Sequence, residues 1–332
     1  MRVPARAQRG VALITAVMIV AIAAAVAAKI AFAHQLWFRQ MENVADRGAT
    51  DLLRRGALHW ASVALLEDAA QNSIDHLGEP WAQGLPTLPV DGGAIHVSVE
   101  DAQGRFNLNN LLQSSGQPSP ADVAIFQRLL VELKLDPLLA NALLDWIDPD
   151  SNVTSPGGAE DVDYLALKTP YRAANQPLTS IEELRLVRGF DAKTVLMLLP
   201  FVTVLPAGTH SAINVNTASP EVLAALTGMD PASAKRIADN RAATPMQNVA
   251  DFTKQLPAGT AAVKSGVADV KTDFFLITLD TSIGRHQRRT LALLQRSAGS
   301  KSTNWIWHRP EPLIDAVSAQ SSTGNDESTE LR

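Results

Sequence analysis

The stretch VALITAVMIVAIAAAVAA, residues Val11–Ala28, determines where the rest of the chain must lie, because it carries no charge. Ile30–Ala33 extend the apolar run beyond a single lysine, Lys29. At about 1.5 Å per residue, a helix of this length crosses the roughly 30 Å of hydrocarbon in a bilayer. Three arginines and no acidic residue precede it, which favours an N-terminus in the cytoplasm. The remainder of the chain is then expected outside the cytoplasm.

A cleavable signal peptide is the alternative for the same stretch, with Ala31-Phe32-Ala33 as its small-residue cleavage site and His34 as the first mature residue. The apolar run is longer than an ordinary signal peptide requires, and no proline interrupts the chain between Pro4 and Pro80. From Met41 to Leu66, apolar residues recur at three- and four-residue spacing, as on an amphipathic helix. We therefore predict one helix of about 100 Å, with a membrane half at residues 11–33 and a periplasmic half at 34–77.

Composition narrows the class of protein. The chain has 332 residues, 46% of them hydrophobic, which is enough for one large core or two modest ones. Its formal net charge is -5 although arginines crowd the N-terminus, so a general nucleic-acid surface is not expected. The absence of cysteine excludes disulfides and thiolate metal sites.

Strand-forming segments lie at both ends of the part that follows the long helix. The first region, 78–110, contains the alternating segment Ala94–Glu100, and the second, 271–297, contains DFFLITLD and RTLALLQ. Between them, residues 111–270 have almost wholly helical spacing. The predicted fold class is α+β, in which the long helix packs on a small antiparallel sheet and an all-helical domain is inserted between strands. Residues 298–332 are predicted to form a C-terminal tail, disordered from Ser318 onward.

The inserted region contains a weak internal repeat, Gln176–Val195 and Asn216–Ile237, and each copy resembles a helix-hairpin-helix unit. Such units bind phosphates through a glycine-rich turn, but Asp191 and Asp230 occupy the position of the second glycine. A carboxylate there would repel a phosphate, so we interpret the repeat as a packing unit. A membrane-anchored DNA-binding protein remains the alternative, and it predicts salt-sensitive duplex binding by residues 176–240.

An acidic loop is the strongest candidate for a binding site. The segment DWIDPDSNVTSPGGAEDVD, residues 145–163, contains no lysine or arginine, and a hard cation such as Ca²⁺ would relieve the repulsion among its carboxylates. The candidate ligands are Asp145, Asp148, Asp150, Glu160 and Asp161. The loop is not an EF-hand, because Val153 stands where that motif requires glycine.

Two other interpretations of the loop are a solvated acidic segment and a catalytic carboxylate pair such as Asp145 with Asp148. No nucleophile or sugar-stacking pattern accompanies such a pair. The sequence also lacks a P-loop, HExxH, G-x-S-x-G and a dinucleotide fingerprint. We therefore expect a protein that is not an enzyme.

Gln8-Arg9-Gly10 followed by the apolar helix resembles the leader of type IV prepilin-class proteins. Within that class, the chain resembles the minor pseudopilin K family of the type II secretion system, also called general secretion pathway protein K. The segments that carry this resemblance extend over most of the chain; they are Gly104–Leu111, Asp145–Asp148, Gly158–Asp161, Glu183–Gly189 and Ile213–Ala218.

The resemblance implies a single-pass inner-membrane protein with a periplasmic domain. Residues 1–10 would be the leader, removed after Gly10 by a prepilin peptidase, and Val11 would be methylated. The implied partners are the I- and J-type minor pseudopilins, the major pseudopilin, the inner-membrane assembly platform and the lipid bilayer. The resemblance also implies two structural Ca²⁺ ions and a tip subunit that starts and limits the pseudopilus during export of folded proteins across the outer membrane.

Thr15 stands at the fifth mature position, where major pseudopilins carry a glutamate, and a residue without a carboxylate is typical of the K subunit. A glutamate in the membrane is costly unless it meets the terminal amine of a neighbouring subunit. A chain without that glutamate needs no such neighbour, so it can enter the assembly first.

Overall fold

The computed structural model of the chain describes residues 8–208, 210–260, 263–297 and 302–311. These residues form a long helix, a five-stranded antiparallel sheet, and a mainly helical domain inserted between two strands of that sheet. The long N-terminal helix and the mixture of helices and sheet are those predicted from the sequence.

The described residues form α-helices, β-strands and short 3-10 helices. The helices are α1 (Gln8–Gln71), α2 (Pro120–Glu132), α3 (Leu139–Ile147), α4 (Asp161–Leu165), α5 (Ala192–Leu198), α6 (Pro220–Thr227), α7 (Pro231–Arg241) and α8 (Val249–Lys254). The strands are β1 (Leu88–Val90), β2 (Gly93–Asp101), β3 (Phe106–Asn107), β4 (Val202–Thr203), β5 (Ile213–Asn214), β6 (Ala268–Asp269), β7 (Phe274–Ile283), β8 (His286–Ser297) and β9 (Ser302–Glu311). The 3-10 helices lie at Ala102–Gly104, Leu108–Leu111 and Ile181–Leu186.

Helix α1 is continuous over 64 residues, and the side chains of residues 11–42 are exposed in the isolated chain. Its second half packs on the sheet through Leu58, Ala61 and Leu65. The helix ends at Gln71 and not at the predicted residue 77. The cause is Asn72, whose Oδ1 accepts a hydrogen bond from the backbone N–H of Ile74 at 3.1 Å. Such a local turn competes with continuation of the helix.

The sheet pairs its strands in the order β1-β2-β7-β8-β9. The turn between β7 and β8 lies beside α1, since a Cβ on Gly284 would be 2.7 Å from Asp46 Oδ2. At the other end of β8, Arg296 donates to Asp68 at 3.0 Å and to Asp75 at 2.5 Å. The sheet thus runs along the second half of α1, and the inserted domain leaves it at the end farthest from the apolar half.

The inserted domain begins earlier than predicted. β2 ends at Asp101, and residues from Phe106 onward lie in the core of the inserted domain, where the rings of Phe106 and Phe126 stack with centroids 5.6 Å apart. Residues 102–110, which we assigned to the sheet region, are therefore part of the insertion. The domain is also not wholly helical, because β3 pairs with β4 and β5 pairs with β6 in two short parallel ladders.

The strand β9 corrects the prediction for the C-terminal tail. Residues 302–311 pair with β8 as the fifth strand of the sheet. A register shift between Leu293 and Leu294 turns Trp305 toward the core beneath α1, while Ile306 and Trp307 pack toward the insertion. This strand escaped prediction because its two faces contact different cores, so no simple alternation is visible. The disorder predicted from Ser318 concerns residues outside those described.

The two repeat copies differ in structure. In the second copy, α6 ends at Thr227 and is capped by Gly228, whose φ of 73° is left-handed, and α7 begins at Pro231. In the first copy, a 3-10 helix replaces the leading α-helix. Asp191 and Asp230 cap α5 and α7 respectively, accepting backbone hydrogen bonds at 2.7 and 2.9 Å. The hairpin carboxylates thus occupy the helix N-termini, where a phosphate would otherwise bind.

Candidate functional site

The acidic loop connects α3 to α4 and brings three of the predicted ligands together. Asp148 directly follows the last residue of α3, and Glu160 directly precedes the first residue of α4. One carboxylate oxygen from each of Asp148, Asp150 and Glu160 lies within 4.8 Å of the other two. The first and last of these residues are buried, whereas Asp150 is exposed, so the group is open to solvent on one side. The two helices therefore hold buried acids on either side of an exposed acid.

The buried oxygens of this group lack partners. Within the described residues, Asp148 Oδ1 and both carboxylate oxygens of Glu160 have no hydrogen-bond donor. Burying an unpaired carboxylate lowers the stability of the folded state by several kcal/mol unless the group is protonated or meets a cation. Even a neutral polar group that is buried without a partner lowers it by about 1–3 kcal/mol. The geometry is thus one that suits a bound cation.

The electrostatics agree with this geometry. Burial, together with repulsion from Asp145 and Asp148, raises the pKa of Glu160 to about 7. Burial, together with repulsion from Asp150 and Asp145, raises the pKa of Asp148 to about 6. A bound cation would reverse both shifts by neutralising the repulsion. Because all the atoms that could coordinate a metal here are carboxylate oxygens, the residues fit a hard cation such as Ca²⁺.

Asp145 lies beneath the group and is fully buried. Both of its carboxylate oxygens accept a hydrogen bond from the Thr154 backbone N–H at 3.1 Å, which folds the loop back over it. Gly158 is required for this closure, because a Cβ there would lie 2.1 Å from Asp145 Oδ2 and 2.5 Å from the Thr154 carbonyl oxygen. Burial raises the pKa of Asp145 as well. Asp145 therefore shapes the loop and adds negative charge under the three acids.

Asp161 is not brought into the group. One of its oxygens accepts from Arg172 Nη1 at 2.8 Å, and the other accepts from the backbone N–H of Ala173 at 3.0 Å. The next acid along the chain, Asp163, likewise pairs with Arg188 at 3.0 Å. Arg172 in the loop after α4 and Arg188 beyond the 3-10 helix Ile181–Leu186 thus satisfy the acids of α4, and sequence spacing did not reveal this.

An aromatic cluster supports the loop from below. The rings of Trp146 and Tyr164 meet edge to face with centroids 5.1 Å apart, and Tyr171 stacks on Tyr164 at 5.4 Å. Trp146 is adjacent in sequence to Asp145 and is buried. This cluster rigidifies the two helix ends that hold Asp148 and Glu160.

A second group of acids was not predicted. Asp68, Asp75 and Glu79 also offer oxygens within 4.8 Å of one another. This group already has a cation, because the buried Arg296 guanidinium pairs with both aspartates. Glu79 is satisfied by Trp81 Nε1 at 2.8 Å and Asn72 Nδ2 at 2.7 Å. It is therefore a buried ion-pair network, and its cation, Arg296, is too far from the acids in sequence for the pairing to have been recognised.

The predicted processing and assembly residues lie at the start of α1. Gly10 and Val11 are both within the helix. Thr15 Oγ1 donates to the Ala12 carbonyl at 3.0 Å, so its hydroxyl is satisfied inside its own helix. Among the described residues, α1 is the one helix long and apolar enough to cross a membrane. A threonine at this position thus imposes no need for a polar neighbour.

Comparison with protein families gives matches over two adjoining segments. Residues 104–207 and residues 213–271 match two family models, both described as type II secretion system, protein K. The matches begin just after the end of β2 and finish just before β7, so together they cover the inserted domain.

Similarity to individual proteins extends over nearly the whole chain. Type II secretion system protein K of Pseudomonas aeruginosa is 36% identical over 307 residues, which cover 89% of this chain and 91% of that protein. The protein of the same description from Klebsiella pneumoniae is 34% identical, covering 87% of this chain and 93% of the relative. A chain in the crystal structure of the GspK-GspI-GspJ complex of enterotoxigenic Escherichia coli is 28% identical, with a TM-score of 0.71. That match covers 82% of this chain and 99% of the solved one.

Proposed function

The chain belongs to the type II secretion system protein K family, and from this premise we propose that it is the minor pseudopilin at the tip of a periplasmic pseudopilus. In this role it starts assembly together with the I- and J-type minor pseudopilins and limits the length of the filament. The mature chain begins at Val11 after a prepilin peptidase removes residues 1–10, and the new N-terminus is methylated. The N-terminus faces the cytoplasm, and the folded domain lies in the periplasm.

The observation that carries this proposal is the position of the inserted domain on α1. The inserted domain leaves the sheet beside Asp75 and Thr272. There the Thr272 backbone N–H donates to Asp75 Oδ2 at 2.8 Å, just beyond the end of α1. The turn at Gly284 marks the opposite end of the sheet, near Asp46. If subunits are added from the membrane side, a large domain at the far end occupies the place of the next subunit above. A tip position accommodates such a domain without a clash.

Thr15 supports the same placement. Its hydroxyl is satisfied within α1, so this position of the helix requires no partner charge. A glutamate at this depth would be costly until it met the amine of a preceding subunit. This chain is therefore suited to enter first, and the major pseudopilin and the assembly platform act after it.

The proposal includes Ca²⁺ as a structural ion bound by Asp148, Asp150 and Glu160, with Asp145 shaping the loop beneath. The ion would neutralise buried carboxylates and stabilise the connection between α3 and α4. Asp161 is omitted from this ligand set because Arg172 and Ala173 satisfy it. Nucleic acid is not a proposed partner, because Asp191 and Asp230 place carboxylates on the helix N-termini of both hairpins.

Mass spectrometry of the protein purified from membranes tests the processing step. We expect a mature chain that begins with methylated Val11 and that co-purifies with the I- and J-type subunits. A chain that begins at His34 and does not partition with lipid would contradict the proposal and support a secreted protein.

Thr15→Glu then separates the two arguments for the tip position. If the bulk of the inserted domain decides the position, immunogold labelling should still place this variant at one end of the pseudopilus. Labelling along the filament would show that the missing carboxylate decides it, and labelling of wild-type protein along the filament would contradict the tip role.

A further inference from the structure

A bare segment of α1 separates the apolar half from the folded domain. The nearest approach of the sheet to the membrane half is at Asp46, beside Gly284, and Thr50 is the first buried residue of the helix. Residues 34–45, which we call the stem, precede these contacts. Within the described residues the sheet and the inserted domain do not cover the large apolar side chains of the stem, and Trp37 and Phe38 are 59% and 62% exposed.

Distance along the helix places these two aromatic residues relative to a bilayer. The run from Val11 to Ala33 spans about 34 Å at 1.5 Å per residue, which fills a hydrocarbon core of roughly 30 Å. Trp37 and Phe38 come four and five residues after Ala33, or about 6 and 7.5 Å beyond the end of that run. The polar headgroup layer occupies about 5–7.5 Å on each side of the core. Both rings therefore fall at the level of the headgroups.

The chemistry of the stem matches that layer. Tryptophan combines an apolar ring with an N–H donor and is enriched where a membrane meets water. The Trp37 and Phe38 rings pack edge to face with centroids 6.0 Å apart, so they form one aromatic unit. Lys29 lies one turn inside the hydrocarbon edge, where a lysine extends its ammonium outward to the phosphates. Arg39 follows Phe38 and places a second cation at the same level.

We propose that Trp37 and Phe38, flanked by Lys29 and Arg39, bind the lipid headgroup layer on the side of the folded domain and fix the depth of the anchor. The occupant of this surface is the bilayer itself, because the surface continues the membrane-spanning run without a break in the helix. The rest of the stem, residues 39–45, places the sheet contact at Asp46 about 12 Å farther along the helix than Phe38. This inference rests on the membrane anchoring in the proposed function.

Depth-dependent quenching of tryptophan fluorescence tests the inference. The full chain is reconstituted into vesicles of phosphatidylethanolamine and phosphatidylglycerol that contain phosphatidylcholine brominated either near the headgroup or at mid-chain. We expect quenching by the shallow bromines that Trp37→Phe abolishes. The other five tryptophans begin at Trp60, about 35 Å farther along the helix. Trp60→Phe is the matched control and should retain the quenching.

Three results would overturn the inference: equal quenching of wild type and Trp37→Phe, quenching strongest with mid-chain bromines, or protection of Trp37 that requires a second protein chain. Flotation of the same vesicles tests membrane anchoring separately from the placement of the stem. A chain that floats without Trp37 quenching overturns only the placement of the stem, whereas a chain that fails to float also overturns the membrane anchoring.

Discussion

Arg309, near the end of the last strand, donates two hydrogen bonds to the carboxylate of Glu182 in the inserted domain, at 2.7 and 3.0 Å. The same guanidinium lies over the Trp307 ring, 4.9 Å from its centroid. Strand β9, which was not predicted from the sequence, thus connects the sheet to the inserted domain. Its contacts orient the inserted domain relative to α1, and that orientation underlies the proposed tip role.

The Arg309–Glu182 pair should contribute little free energy in spite of its good geometry. Its side chains are 39% and 58% exposed, so solvent screens the attraction. A double-mutant cycle with Arg309→Met and Glu182→Gln should give a coupling energy of about 0.5–1 kcal/mol that decreases with added salt. Urea unfolding of the four proteins measures it. Zero coupling at low salt would show that the pair does not form.

Arg296 should be far more important than the neighbouring Arg289, although both lie in β8 and both pair with aspartate. Arg296 is almost fully buried between Asp68 and Asp75, whereas the Arg289–Asp280 pair is partly exposed. Arg296→Met leaves buried carboxylates without their cation and should lower the free energy of unfolding by about 3–5 kcal/mol. Arg289→Met should cost less than about 1 kcal/mol. Equal losses in urea unfolding would contradict the buried network.

Calcium should stabilise the protein through Glu160 and Asp148. After chelation, adding Ca²⁺ at about 100 times its dissociation constant should raise the unfolding free energy by about 2.7 kcal/mol. Glu160→Gln and Asp148→Asn should remove this response. Differential scanning calorimetry measures it, and terbium emission sensitised by Trp146 provides an independent signal.

Asp161→Asn is the matched control for the calcium experiment, because Asp161 belongs to the same acidic loop but pairs with Arg172. This variant should keep the calcium response. Loss of the response in Asp161→Asn, or its persistence in Glu160→Gln, would refute the assigned ligand set.

Stability without calcium should depend on pH through Glu160. Its pKa in the folded protein is about 7, raised from 4.5, so the folded state binds this proton more tightly than the unfolded state. The protonated carboxyl therefore favours folding below about pH 5, and this contribution is lost as the pH rises through 7. Chelated wild type should become less stable between pH 5 and 8, and Glu160→Gln should show a flatter profile. A slope of opposite sign would refute the assignment.

Calcium affinity should increase as the pH rises, because protons compete with the metal for Glu160 and Asp148. The dissociation constant should increase as the pH falls below 7. Isothermal titration calorimetry at pH 6 and pH 8 checks this expectation, and a pH-independent affinity would indicate ligands other than these two acids.

The confirmed predictions came from local sequence patterns. Helix α1 follows from an apolar run and from spacing that repeats every turn, and β2, β7 and β8 follow from short apolar segments. Of the five predicted ligands, Asp148, Asp150 and Glu160 lie close together in the structure, and metal binding by them stays a prediction. Each of these features depends on residues within one element or one loop.

The sequence by itself determined the membrane-length helix, the two strand regions and the acidic loop, because each depends on interactions between residues close in the chain. Only the tertiary structure decided that β9 completes the sheet, that Arg296 neutralises Asp68 and Asp75, and that Arg188 pairs with Asp163. These features depend on contacts between segments that are distant in sequence. Packing of the whole chain decides which of those contacts form, so no local sequence pattern predicts them.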